Sequence, residues 1–206
     1  MTHLIEQESK LPVLLVHGLG DTGARMRHIQ HALQQAGWTA VQSLTLVPND
    51  GSLSIEDMAA QVAQAAHALR TDSGSAAIDM LGFSMGGVVA RYMIQRLDGH
   101  TFVRRFITLS APNHGTLTAY LRNGDGIRQM RPASALLDDL NTAATWGKTE
   151  VWSYWTPFDL MIVPARSSAL PHAINGTIPV LVHRWMTSDR RVMRAIIQTL
   201  SMPAPA

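Results

Sequence analysis

Apolar residues recur along this chain in two rhythms. Runs of five to eight mostly apolar residues at 11–17, 40–46, 77–81, 102–109, 151–155 and 178–182 have the length and composition of buried strands. Between them, apolar residues at helical spacing predict helices over 25–35, 55–69, 87–97 and 189–200. Gly37 closes the first of these, and Ser54 with Asp57 three residues on opens the second. Pro48-Asn49-Asp50-Gly51 marks a turn after the second strand. Strands alternating with helices predict an α/β fold with a doubly wound, mostly parallel sheet covered on both faces. The rhythm breaks over 115–147. There two short helices, 116–121 and 133–141, flank the turn Asn123-Gly124-Asp125-Gly126. Leu117, Tyr120, Leu121, Ile127, Met130, Leu136, Leu137 and Leu140 make this insertion more apolar than a solvated loop needs. It reads either as a mobile lid over a pocket or as a fixed cap that narrows one.

Composition narrows the picture without redrawing it. The 206 residues suit one domain, 1–206, with the 115–147 cap inside it. At 46% apolar and 16% charged residues the chain has the makings of a packed core, which excludes disorder. The formal net charge is +2 with the basic residues scattered, so no nucleic-acid footprint is expected, and Arg104-Arg105 and Arg190-Arg191 read as surface pairs. Cysteine is absent, which excludes disulfides and thiolate chemistry. The first ten residues are polar and no apolar run approaches membrane-spanning length, so a cytoplasmic protein without a stable membrane anchor is expected. Met202 to Ala206 reads as a frayed tail.

The candidate chemistry stands at strand ends. Gly82-Phe83-Ser84-Met85-Gly86 lies between a strand and a helix, where a sharp turn bordered by glycines presents the serine hydroxyl. A serine needs a base and an oxyanion site before it acts as a nucleophile. Asp159 follows the 151–155 strand and His183 follows 178–182, giving the order Ser84, Asp159, His183. In that arrangement His183 takes and returns the serine proton, and Asp159 holds one imidazole tautomer. The backbone N–H groups of Leu19, in His17-Gly18-Leu19-Gly20, and of Met85, at a helix start, are the candidate oxyanion donors. Rivals exist: His172 for the base, Asp125, Asp138 and Asp139 for the acid, and a helix cap or an Arg166 partner as other duties for Asp159. His17 is expected to brace the oxyanion loop by hydrogen bonding. The nine histidines show no metal-ligand spacing, so neither a metal nor another cofactor is expected.

At these residues the chain resembles the α/β-hydrolase family, and within it the small bacterial lipases and esterases. The matching stretches are Val13-Leu-Leu-Val-His-Gly-Leu-Gly20, Gly82-Phe-Ser-Met-Gly-Gly87 and Thr108-Leu-Ser-Ala-Pro-Asn-His-Gly-Thr116, with weaker likeness over Tyr154–Pro164 and at His183. Arg184-Trp185 departs from the small or apolar residues often found after that histidine. The resemblance implies an α/β-hydrolase fold with its cap after the family's sixth-strand position, and hydrolysis of carboxylic esters through an acyl-enzyme. It also implies that Asn113 and His114 shape the pocket floor. The expected partner is a small acyl ester, a lipid among the candidates, acted on by a monomer or weak homo-oligomer. An acyltransferase using the same triad and a non-catalytic binding protein are the alternatives.

Overall fold

A computed structural model describes residues 10–142 and 145–203. The polar N-terminal segment before Lys10 and the end of the tail lie outside the described residues. Six parallel strands form one sheet: β1 (Val13–Val16), β2 (Val41–Leu44), β3 (Ile78–Phe83), β4 (Val103–Leu109), β5 (Glu150–Trp155) and β6 (Ile174–Thr177), in the order β2-β1-β3-β4-β5-β6. The chain goes outward from β1 to β2 and then returns to the other side of β1 at β3. That reversal opens a crevice at the carboxyl ends of β1 and β3, where α/β sheets bind ligands. Val16 pairs with Gly82 there, so the loops after both strands leave side by side.

Alternation along each strand feeds two cores. Leu14, Val16, Met80 and Phe106 face α2 (Ile55–Ser73) and α3 (Met85–Arg96); Val13, Leu15, Leu81 and Ile107 face α1 (Arg27–Gln35) and α6 (Arg190–Leu200). The helix starts follow from local chemistry. Ser54 Oγ accepts from Asp57 N at 3.1 Å and Asp189 Oδ1 accepts from Arg191 N at 2.8 Å, each satisfying an orphan N–H.

Three expectations need correction. The 178–182 stretch is not a strand; the last strand is Ile174–Thr177, and His183 opens a 3₁₀ turn, His183–Thr187. Pro179 interrupts the run and has no N–H to give a ladder, while Thr156 Oγ1 bonds the Val180 carbonyl at 2.5 Å and docks the segment as a loop. Secondly, Asp125 does not simply end a turn: Asp125–Gln129 forms the short helix α4, ahead of α5 (Ala135–Thr142). Thirdly, Arg104-Arg105 is no surface pair. Arg104 donates to the fully buried Asp79 at 3.0 and 2.6 Å, while buried Arg105 reaches Glu150 Oε2 at 2.8 Å and the Met202 carbonyl at 2.7 Å. Burial pushes the Asp79 carboxyl up even though Arg104 and Arg105 oppose it. These charges sit at the amino ends of the strands, away from the crevice, and tie strand starts and the C-terminal segment together.

The insertion between β4 and β5 is pinned on several sides. Gly126 N donates to Leu53 O at 3.0 Å, Ile55 N to Gln129 Oε1 at 2.7 Å and Leu117 N to Val163 O at 2.9 Å. Arg91, buried on α3, donates to Leu140 O at 2.6 Å and Asn141 Oδ1 at 2.9 Å. Burial, with Arg96 nearby, pushes the Arg91 guanidinium down to about 10. Leu136, Leu137 and Leu140 are in the core. Of the two readings of the insertion, the fixed cap is the one with this many anchors; a lid would have to break them to move.

Candidate active site

Ser84 sits between the last residue of β3 and the first of α3 with φ 54° and ψ −127°, a conformation that costs a non-glycine residue roughly 1–3 kcal/mol. Its backbone is held on both sides: Ser84 N donates to Leu109 O, and Ser84 O accepts from Gly87 N, both at 2.9 Å. The flanking glycines are required by close approach. A Cβ on Gly82 would stand 2.6 Å from Gly86 O, and one on Gly86 2.2 Å from His17 O. The hydroxyl therefore stands up at the head of a helix N-terminus in the crevice.

His183 Nδ1 and Asp159 Oδ2 are 2.7 Å apart, and both residues are buried. The other carboxylate oxygen, Oδ1, accepts from Met161 N and Ile162 N at 2.9 Å each. Burial alone would push the Asp159 carboxyl up, but the His183 hydrogen bond and charge, with the two N–H bonds, outweigh it and hold the group below the ordinary aspartate value. Asp159 is thus ionised at neutral pH and orients the imidazole. The His183 ring lies 4.8 Å from the ring of Phe83, the residue before Ser84, which brings the pair against the elbow. The rival residues stand elsewhere. His172 is exposed in a loop, and Asp125, Asp138 and Asp139 are exposed on the insertion, with Asp139 bonded to Arg96 at 2.8 Å.

The loop after β1 runs past the serine: a Cβ on Gly18 would meet Ser84 Cβ at 2.9 Å. Among the described residues neither Leu19 N–H nor Met85 N–H has an acceptor, so both donors are free. His17 is fully buried beneath this loop; its Nε2 accepts from Leu46 N at 3.0 Å, which leaves the proton on Nδ1 to donate to Gly18 O at 2.8 Å. Burial pushes His17 down, more than the Gly18 bond and Asp21 raise it, so the ring is neutral. His17→Ala is expected to lower kcat, with little change in KM, and to destabilise the fold by about 1–3 kcal/mol by orphaning the Leu46 N–H. Because its folded value lies below 6.5, the wild type loses this contribution as pH falls below 6.5. The variant should show a shallower fall in Tm over that range; an unchanged Tm profile would contradict the brace.

Asn113 is buried, its side-chain Nδ2 donating to Ser168 O at 2.7 Å and its backbone carbonyl accepting from Arg91 and Asn141. His114, expected in the pocket floor, instead has an exposed side chain whose Nδ1 lies 3.2 Å from Asn141 Nδ2. The sequence reading also missed Asp21, whose Oδ1 accepts from both Arg25 and Arg184 at 2.9 Å. That pair links the loop after β1 to the residue after His183, so the Arg184 that departs from the family pattern has a partner of its own. Among the described residues no three His, Asp or Glu side chains converge into a metal-binding group. A cleft of about 710 Å³ lies between α2, α3 and the insertion, walled by Glu56, Tyr92, Gln129 and Asp139. None of Ser84, Asp159 and His183 lines it; the candidate site is marked instead by strained backbone and paired titratable groups.

A family model described as palmitoyl protein thioesterase matches residues 12–170. Over 116 residues, 54% of this chain, it is 33% identical to the lysosomal thioesterase PPT2 of Bos taurus, covering 37% of that protein. Over 113 residues, 52% of this chain, it is 27% identical to a triacylglycerol lipase of Pseudomonas fragi, covering 36% of it. The matched stretch thus spans little more than a third of these curated relatives. Among solved structures, the mature Bacillus licheniformis lipase BlEst2 superposes with a TM-score of 0.80 at 16% identity, over 95% of this chain and 94% of that one. A putative non-heme bromoperoxidase BpoC of Mycobacterium tuberculosis H37Rv superposes at 0.70 and 14% identity, over 93% of each chain. The fold is the α/β-hydrolase fold, as the resemblance implied.

Proposed function

We propose that this chain, which belongs to the palmitoyl protein thioesterase family, hydrolyses acyl esters or thioesters through a Ser84-His183-Asp159 triad in one α/β-hydrolase domain. The observation that carries the reading is the 2.7 Å Asp159–His183 hydrogen bond set beside the strained Ser84 elbow.

The residues divide the work by their chemistry. With Nδ1 bonded to Asp159, His183 presents Nε2 as the base that takes the Ser84 proton as Oγ attacks the acyl carbonyl. The tetrahedral intermediate places its negative oxygen against the Leu19 and Met85 N–H groups, which need no reorganisation to receive it. His183 returns the proton to the leaving oxygen or sulfur, leaving the acyl group on Ser84. Water, deprotonated by His183, then attacks the same carbonyl, and collapse restores the serine and frees the acid. Asp159 stays ionised throughout and stabilises the imidazolium.

The substrate is an acyl chain on an oxygen or a sulfur. The test is a series of soluble acyl esters and acyl thioesters of increasing chain length, with and without an added alcohol. Saturable release of the free acid is expected from at least one series. Folded protein that turns over neither, or passes the acyl group to the alcohol in preference to water, would contradict hydrolysis.

A further inference from the structure

Of the twelve large apolar side chains exposed among the described residues, nine stand on three loops, 117–121, 158–161 and 181–185. The most exposed on each are Leu121 at 83%, Leu160 at 81% and Leu181 at 69%. These loops form one continuous collar. Thr118 Oγ1 on the first donates to Met161 O on the second at 2.6 Å. The Asp159–His183 bond joins the second to the third, and Arg184 joins the third to Asp21 beside the oxyanion loop. His183, on the third loop, lies 4.8 Å ring to ring from Phe83, so the linked loops adjoin the Ser84 elbow. A contiguous apolar patch left in water marks a surface that meets something apolar.

Charge on the collar has one sign. Arg122 follows Leu121, Arg184 lies between Val182 and Trp185, and the Arg131 guanidinium stands 4.8 Å over the Tyr120 ring. Within 116–122, 156–162 and 178–188 the one carboxylate is Asp159, buried and held by His183. Asp21 faces Arg184 from the neighbouring loop, and its single charge is shared with Arg25. Apolar tips interleaved with arginines match a surface whose interior is acyl chain and whose headgroups are anionic.

We propose that this collar docks the protein onto anionic lipid surfaces, with Leu121, Leu160, Leu181 and Trp185 entering the acyl layer and the arginines meeting the headgroups. Docking brings the Ser84 mouth against acyl chains held in that surface, and it rests on the hydrolase reading only for this consequence. No lid has to open, because the insertion is pinned to α2 and α3.

The experiment is cosedimentation with vesicles of phosphatidylcholine alone and of phosphatidylcholine mixed with phosphatidylglycerol, at low and high salt. Wild-type protein should pellet with the mixed vesicles, and less so in high salt. Leu121→Asp and Arg122→Glu should each weaken that binding, the former at least about tenfold, with turnover of a soluble short-chain ester unchanged. Wild type remaining in the supernatant, equal binding to both vesicle types, or undiminished binding by both variants would overturn the proposal. So would fast turnover of a soluble S-acylated peptide by protein that ignores anionic vesicles, since the occupant would then be a protein surface. Vesicle binding with no soluble ester turnover would leave the docking standing and remove the hydrolase reading, so the two fail separately.

Discussion

Replacing Ser84 with alanine is expected to cut turnover of any ester or thioester substrate by at least about three orders of magnitude, the scale seen when a triad member is removed. The expected loss lies in kcat, because in the proposed mechanism Ser84 gives its nucleophilic oxygen to the chemical step. Stability should change little. Alanine keeps the Cβ that already packs beside Gly18, and the strained backbone is held by Ser84 N–H to Leu109 O and by the Gly87 N–H, not by the hydroxyl. Steady-state kinetics with a thermal melt on the same preparation checks both halves. An activity within tenfold of wild type would move the nucleophile elsewhere.

Asp159→Asn should be almost as damaging, about 10³- to 10⁴-fold in kcat/KM, for a different reason. The backbone N–H groups of Met161 and Ile162 fix one oxygen of residue 159 as an acceptor. The asparagine amide nitrogen is then turned toward His183 Nδ1. It would donate to that nitrogen, drive the ring proton to Nε2 and leave no base facing Ser84. Binding should survive, so KM changes less than kcat. The pH response of stability gives a second readout. The folded Asp159 carboxyl lies below the ordinary 3.8, so its stabilisation is present above that value and is lost as pH falls through the depressed one. Asparagine should remove that acid sensitivity. A loss of less than tenfold in kcat/KM would contradict the orienting role.

How far the site was legible depended on whether a residue's signal was local. Ser84 announced itself because its glycines are demanded by contacts within a few residues and with the adjacent strand. The His17 contacts are local in the same way, since the residue lies one position past β1 and bonds the Gly18 carbonyl next to it. The rest of the sheet followed from apolar period and length up to β5. It failed at 178–182, where an apolar run beside Pro179 packs as a loop and the preceding Ile174–Thr177, poorer in apolar side chains, takes the edge position. His183 nevertheless reaches Asp159, since loop 178–182 is docked by Thr156 and not by a strand ladder. Arg105 and Asp21 were illegible for a common reason. Each is defined by partners far away in sequence, Glu150 and the C-terminal carbonyls for one, Arg184 for the other, and no local pattern encodes them. The anchoring of the insertion was hidden likewise, because Arg91 looks like any helix arginine until Leu140 and Asn141 are seen to end against it.

Whether Ser84 is an activated nucleophile can be read with a fluorophosphonate probe. The probe forms a stable bond only with a serine whose proton is taken by a base, and peptide mass locates the adduct without any assumption about substrate. One adduct is expected on the peptide containing Ser84 and none in Ser84→Ala, with sharply slowed labelling in Asp159→Asn. A folded wild-type protein that takes no adduct at Ser84, or takes it on another residue, would contradict activation of Ser84.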